Sequence, residues 1–211
     1  GTGLRPTRAA GTLGERNQRE LPLFALLRVL AFSFPLSMDV TLDTLRVELV
    51  QGDIANQPDV EAVVNAANAQ LRSGGGVAGA LHRAAGPKLA EACAPMAPVQ
   101  PGEAVCTEAF DLPNEHVIHA LGPVYGRDEP AAALLRSCYE NALDLAEEHN
   151  MSSIAFPAIS TGAFGYPMRP AAHAALGTVL TNAPVLEQVE LVRFVLFDAK
   201  AMSVFEDMLA D

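Results

Sequence analysis

Two glycine-rich segments have the residue types that bind phosphate groups. The first is NAQLRSGGGVAG, residues 68–79, and the second is PAISTGAFGYP, residues 157–167. Each follows a short apolar run and precedes a stretch typical of a helix. A glycine-rich turn before a helix presents several N–H groups and the positive end of the helix dipole, so it binds an anion without a charged side chain. Two such turns are suited to two phosphates.

The common nucleotide-binding motifs fit the first segment poorly. Gly74, Gly76 and Gly79 have the spacing G-x-G-x-x-G. In a dinucleotide-binding fingerprint, however, the glycines follow the strand directly and an acidic residue closes the next strand. Here NAQLRS intervenes, and the proline-rich APMAPVQPG occupies the later position. A P-loop is excluded because no glycine is followed by lysine and then serine or threonine.

The composition is that of one acidic globular domain. The chain has 211 residues, half of them hydrophobic, and its 14 Lys and Arg against 25 Asp and Glu give a net charge of -11. This balance gives no general attraction for polyanions, so no nucleic acid is expected as a partner. Backbone amides must then do most of the work of binding an anion, and Arg72 is expected to be a solvated loop charge.

The cysteines indicate a reducing compartment. Cys93, Cys106 and Cys138 are widely spaced, with no C-x-x-C pair and no histidine at metal-ligand spacing. We therefore expect buried thiols, a cytoplasmic protein and neither a metal nor a cofactor.

The first 37 residues differ from the rest of the chain. They carry five arginines against two glutamates, a balance of +3, which leaves -14 for the remainder of the -11 total. LPLFALLRVLAFSFPL, residues 21–36, has the apolar character of a signal-peptide core, but Arg28 interrupts it and it is too short to span a bilayer. We interpret 1–37 as an extension, with an amphipathic helix packed on the domain. Met38 then begins a domain over 38–211, and no membrane partner is expected.

From residue 45 onward, short β-branched runs alternate with alanine-rich stretches. Strands are predicted within 45–51, 61–67, 103–110, 116–122, 152–159 and 190–197, and helices over 76–85, 130–149, 169–181 and 199–209. This alternation predicts an α/β fold with three layers, α/β/α, around a mixed, mostly parallel sheet. Ligands bind such sheets beyond the carboxyl ends of the strands, where both glycine-rich segments fall.

Three motifs in sequence resemble the macrodomain family, the ADP-ribose-binding module. They are VELVQGDIANQPDVEAVVNAANAQLRSGGGVAGALHRAAG, HVIHALGPVYG and PAISTGAFGYP, and the resemblance covers residues 47–211. It implies the same three-layer fold. It also implies that ADP-ribose, or an ADP-ribosylated protein or metabolite, is the partner.

The resemblance implies a role for residues in each part of the ligand site. Asp53 accepts a hydrogen bond from the adenine amine, with Ile54 beside it, although an ordinary helix N-cap is an alternative for Asp53. Phe197 lies beside the adenine and Phe164 against the distal ribose, with core packing as the alternative for both. The two diphosphate loops are formed by Gly75, Gly76 and Val77 and by Ser160, Thr161, Gly162, Ala163 and Phe164.

Asn68 is the catalytic residue that the resemblance implies. Its amide orients the distal ribose or a water molecule, whereas Asn65 is expected to tie down the loop backbone. His119 is expected to be a hydrogen-bonded core histidine with no functional role.

Ala78 departs from part of the family. Members resembling O-acetyl-ADP-ribose deacetylases have the string GGGVDG, in which the aspartate activates water, and this chain has GGGVAG. A methyl group cannot act as a base. Viral macrodomains that remove ADP-ribose from acidic side chains, however, share GGGVAGAL. Two functions therefore stay open: slow hydrolysis of ADP-ribosyl esters, on protein carboxylates or O-acetyl-ADP-ribose, and a reader module that binds ADP-ribose without turnover.

Overall fold

The computed structural model describes residues 8–9 and 37–210, and its strands form one mixed sheet. The order across the sheet is β1-β5-β6-β4-β7-β8-β3-β2. The strands are β1 (Arg8–Ala9), β2 (Ser37–Leu42), β3 (Leu45–Gln51), β4 (Ala62–Ala66), β5 (Ala104–Glu108), β6 (His116–Ala120), β7 (Ser153–Phe156) and β8 (Leu191–Leu196). The helices are α1 (Gly76–Ala85), α2 (Pro87–Cys93), α3 (Ala131–Glu148), α4 (Met168–Asn182) and α5 (Ala199–Ala210), with 3-10 turns at Ala94–Met96 and Ala183–Val185.

Five neighbouring strands in the middle of the sheet are parallel. β6, β4, β7, β8 and β3 run in one direction, while β5, β1 and β2 are antiparallel to their neighbours. The carboxyl ends of the five parallel strands therefore meet at one side of the sheet, which we call the carboxyl edge. The mixed, mostly parallel sheet predicted from the sequence is confirmed.

Helices cover both faces of the sheet. On one face α3, α4 and α5 enclose a core in which the rings of Tyr139, Phe156 and Phe194 lie 5.1 to 6.2 Å apart between centroids. On the other face α1 and α2 bury Leu81 and Leu89 against the sheet. Each fully buried Leu or Phe side chain contributes about 1.5–3 kcal/mol, so these clusters hold the three layers together. The predicted α/β/α layering is confirmed.

Among the described elements, the sequence pattern missed helix α2, the strands β1 and β2 and the two 3-10 turns. Helix α2 has seven residues, too few for a helical period to stand out, and it buries only Leu89 and Cys93. Strand β2 pairs antiparallel with β3 across the turn at Asp43, whose φ is 54°. β2 begins at Ser37, inside the predicted extension, and β1 pairs with β5 at the opposite end of the sheet. The amphipathic helix predicted within residues 1–37 otherwise lies outside the described residues.

The chain leaves neighbouring strands β4 and β7 toward opposite faces of the sheet. β4 is followed by α1 on one face and β7 by α4 on the other, although the strands are paired at Ala62 and Ile154. Connections that diverge in this way open a crevice at the carboxyl edge. Within the described ranges, no helix is both long and apolar enough to cross a bilayer.

Candidate functional site

The residues predicted to bind the ligand all lie at the carboxyl edge, in loops that follow four of the parallel strands. Asp53 and Ile54 follow β3, and Phe197 follows β8. Asn68 and the first glycine-rich run follow β4, and 160–164 follow β7. Asp53, Gly75, Gly76, Gly162, Ala163 and Phe197 are exposed, Asn68, Val77, Thr161 and Phe164 are partly buried, and Ile54 and Ser160 are buried.

The loop after β4 is closed by the side chain of Asn68. Its Oδ1 accepts the Arg72 N–H at 3.1 Å, and its Nδ2 donates to the Arg72 carbonyl at 2.7 Å. Between them Leu71 is buried in the core, which fixes the turn to the domain. The expectation that Asn65 ties down this loop is wrong, because the Asn65 amide bonds His119 and Asn68 closes the loop. The Arg72 side chain is exposed, as expected.

The glycine run presents backbone at the start of α1. Helix α1 begins at Gly76, whose φ of +56° favours glycine, and no side chain caps its first turn. A Cβ atom placed on Gly75 or Gly76 would meet nothing within 4 Å. The N–H groups at this helix end therefore lie beside open space, as an anion site requires.

Gly79 allows this loop to pack directly on α1. A Cβ at Gly79 would collide with the carbonyl oxygen of Gly74 and lie 3.0 Å from Nη1 of Arg83. The spacing of Gly74 and Gly79 thus reflects contact between the loop and the helix. It is not part of a dinucleotide fingerprint.

The loop after β7 is a tight turn that precedes α4. Ser160 has a φ of +66°, and its carbonyl accepts the Tyr166 N–H at 2.9 Å. Thr161 Oγ1 donates to the Ala158 carbonyl at 2.8 Å. These bonds turn Gly162 and Ala163 outward into solvent. Because α4 begins only at Met168, the amides that this segment exposes belong to the turn and not to the helix end.

A third loop, after β6, holds this turn in place, a role that was not predicted from the sequence. A Cβ at Gly122 would collide with Oγ of Ser160 and lie 2.6 Å from Cγ2 of Ile159. The Tyr125 N–H donates to the Phe164 carbonyl at 2.9 Å. The Gly-Pro pair in HALGPVYG was the available signal, since it marks a turn at a strand end.

Asp53 and Phe197 emerge side by side. Gly52, directly after β3, donates its N–H to the carbonyl of Leu196 at the end of β8 at 3.0 Å. Asp53 and Phe197 each follow one partner of this bond. Asp53 Oδ1 accepts the Ala55 N–H at 2.9 Å in a turn, so the helix N-cap alternative is wrong. Phe197 is 89% exposed, which rules out its core-packing alternative, whereas Phe164 packs partly buried against the core beneath α1.

His119 is a hydrogen-bonded core residue, as expected. It is fully buried, with Nδ1 3.0 Å from Asn65 Nδ2 and Nε2 3.0 Å from Thr107 Oγ1. Asn65 Nδ2 can only donate, so Nδ1 accepts and Nε2 carries the proton. Burial, together with the nearby His82, lowers the pKa of His119 to about 3. The imidazole is therefore neutral in the folded protein at physiological pH.

The three cysteines are buried, as expected from the sequence. Burial raises the pKa of the Cys93 and Cys106 thiols to about 12, so neither is a thiolate near neutral pH. In the part of the chain that the structure describes, no group of three or more His, Cys, Asp and Glu side chains is placed to hold a metal ion.

Comparison with known proteins places the chain among relatives of similar length. The family described as "Macro domain" matches residues 64–175. A "Macro domain-containing protein in non 5'region" of Streptomyces griseus is 48% identical over 170 residues, 78% of this chain and 94% of the relative. An "O-acetyl-ADP-ribose deacetylase" of Enterobacter cloacae subsp. cloacae is 44% identical over 169 residues, 78% and 93% of the two chains.

Two solved macrodomain structures resemble this chain in both fold and amino-acid sequence. The Oceanobacillus iheyensis macrodomain with ADP has a TM-score of 0.79 and 38% identity, over 82% of this chain and 95% of that one. The Trypanosoma brucei macrodomain in complex with ADP-ribose has a TM-score of 0.72 and 35% identity, over 77% and 68%.

The contact between Gly74 and Gly79 predicts opposite effects of two helical Gly→Ala changes. Gly79→Ala should lower the free energy of unfolding by about 1–3 kcal/mol, because the new methyl group displaces backbone. Gly177→Ala, in α4, is the matched control, since its Cβ would meet nothing within 4 Å. It should raise stability by up to about 1 kcal/mol. Urea unfolding measures both, and a stabilising Gly79→Ala would contradict the packing described.

The neutral state of His119 predicts acid sensitivity. Below its ordinary pKa of 6.5 the unfolded chain takes up a proton that the folded protein, with a pKa of about 3, does not. The free energy of unfolding should therefore fall by about 2 kcal/mol between pH 7 and pH 5 through this residue alone. Urea unfolding at both pH values should show that the free energy of unfolding falls by about 2 kcal/mol more in the parent than in His119→Gln. Equal pH dependence in the two proteins would show that His119 is protonated in the fold.

Proposed function

Because the chain belongs to the macrodomain family, we propose that it binds ADP-ribose along the carboxyl edge and slowly hydrolyses ADP-ribosyl esters. The observation that carries the proposal is the arrangement of two exposed backbone turns, at 74–76 and 161–163, on neighbouring strands that diverge to opposite faces. The names and ligands of the relatives support the same ligand and reaction class.

Each part of ADP-ribose has a matching surface in this proposal. The diphosphate lies between the two turns, where N–H groups and the α1 dipole bind its charge. The adenine stacks on the exposed ring of Phe197, and its amine donates to the Asp53 carboxylate. Ile54 lies in the wall next to Asp53, and Phe164 contacts the distal ribose.

Asn68 retains capacity for a ligand after closing its own loop. A carboxamide has two N–H donors and two acceptor lone pairs, and Arg72 uses one of each. The remaining donor and acceptor orient a ribose hydroxyl or a water molecule. Hydrolysis adds this water across the ester and yields ADP-ribose and a carboxylic acid.

Ala78 explains why the proposed hydrolysis is slow. The residue lies in the first turn of α1 and its buried methyl group has no proton to exchange. A positioned general base contributes about 10²- to 10⁴-fold, and this chain has none at that position. The same residue favours the alternative function, a reader that recognises ADP-ribosylated protein without turnover.

Binding of ADP-ribose should be saturable, one-to-one and unaffected by a chelator. Phe197→Ala should weaken it by about tenfold through lost stacking and leave thermal stability unchanged, because the ring is exposed. Val185→Ala, an exposed apolar residue at the opposite edge, should change neither. Titration calorimetry measures both variants, and the absence of heat at millimolar ADP-ribose would refute the proposed ligand.

Single-turnover release of ADP-ribose from a glutamate-linked protein substrate tests the reaction. Asn68→Ala should lower the rate more than the affinity, since an orienting contact acts most at the transition state. Ala78→Asp should raise the rate, with weaker binding if the carboxylate repels the diphosphate. If the Asn68→Ala variant hydrolyses the substrate like the parent, Asn68 has no role in the reaction. A parent with no release above the buffer rate would leave the reader function.

A further inference from the structure

We infer that Arg193 and Gln57 form a relay that positions Asp53 to read the adenine amine, which makes them specificity-determining residues outside the ligand site. This inference rests on the proposed function, in which Asp53 accepts from that amine. It concerns the segment 53–60, which crosses the α1 face of the sheet without forming a helix or strand.

Arg193 is a buried cation held by three side chains. It lies on β8 with 8% exposure, and its Nε donates to Glu48 Oε2 on the neighbouring strand at 2.7 Å. Nη1 and Nη2 donate to the two carboxylate oxygens of Asp59, each at 2.7 Å. The planar fork of an arginine makes this geometry rigid, so Asp59 and its segment are fixed over β8.

Gln57 transmits this fixed position toward Asp53. Its Oε1 accepts from Arg193 Nη1 at 3.1 Å, and its Nε2 donates to the Asp53 carbonyl at 2.9 Å. Arginine has no acceptor, so the amide oxygen of Gln57 must face it and the NH₂ group must face Asp53. Arg193 therefore sets the orientation in which Gln57 holds the backbone of Asp53.

The backbone of Gln57 is fixed independently. Asn114 Nδ2 donates to the Gln57 carbonyl at 2.7 Å and to the Val60 carbonyl at 2.8 Å. Because both the backbone and the side-chain amide of Gln57 are held, Asp53 cannot shift without breaking a hydrogen bond. Its Oδ1 accepts from Ala55, which leaves Oδ2 as the acceptor for the amine.

Such a relay predicts a specific effect on which nucleobase the protein prefers. In the hypoxanthine analogue of ADP-ribose a carbonyl oxygen replaces the adenine amine, so Asp53 would face a second acceptor. A carboxylate held in place rejects this analogue strongly, whereas one that can move away does not. The ratio of the two affinities therefore reports the position of Asp53, while a general loss of structure lowers both affinities alike.

Gln57→Glu tests the relay. The carboxylate keeps the acceptor for Arg193 and the size of the side chain, but loses the donor to the Asp53 carbonyl. Calorimetry with ADP-ribose and its hypoxanthine analogue should show a parent preference for adenine of about tenfold or more, falling to within about threefold in the variant. Gln188→Glu adds the same charge on an exposed residue at the opposite edge and should keep the parent ratio.

Arg193→Lys provides the second variant, with thermal unfolding as the measure of folding. Lysine keeps the buried charge but cannot contact Glu48, Asp59 and Gln57 together, so the ratio should fall in the same direction. A folded Gln57→Glu protein with the parent ratio, or equal loss of both affinities, overturns the relay. A parent that binds both ligands equally also overturns it while the proposed function stands. A parent that binds neither ligand refutes the proposed function itself.

Discussion

The parallel pairing of β6, β4, β7, β8 and β3 is the constraint on which the rest of the site depends. It brings the carboxyl ends of five strands to one edge, so loops from distant parts of the sequence become neighbours. The rung between Gly52 and Leu196 places Asp53 beside Phe197, 144 positions apart in numbering. Divergence of the chain after β4 and β7 then opens the crevice between the two glycine-rich turns. A change in strand register would therefore move all of these groups apart at once.

Under the proposed function, an acidic chain binds a dianion, and this requirement constrains the electrostatics of the site. With a net charge of -11, the protein cannot rely on an overall positive field. The two turns instead offer N–H groups and one helix dipole at short range, where geometry and not net charge decides the binding energy. The charged side chains of Glu48, Asp59 and Arg193 have structural roles away from the two turns. Arg193, which donates to Glu48 and Asp59, is buried beneath the segment that carries Asp53.

Rigid contacts between loops, and not charged side chains, position the backbone groups of the candidate site. The Gly74 carbonyl rests on Gly79, Ser160 packs on Gly122, and Asn68 closes its own turn. Each contact uses either a missing Cβ or a short amide side chain, so backbone groups can approach closely. A site made from backbone amides depends on such contacts, since its donors cannot adjust by rotating side chains. Gly79 and Gly122 are therefore tightly packed positions, whereas Gly75 and Gly76 lie beside open space.

The sequence alone determined the layers and the central strands, because hydrophobic period is a local property. Its glycine content also marked the two turns at the carboxyl edge to which the proposed function assigns the diphosphate. It also carried the family resemblance, and with it the expected site residues. It assigned the loop-closing bonds to Asn65 and not to Asn68, since both are asparagines three residues apart and only the fold buries Asn65 against His119. It missed α2, and it gave no hint that Gly122 supports Ser160 or that Arg193 holds Gln57. These contacts join residues distant in sequence, and their geometry arises only when the sheet assembles.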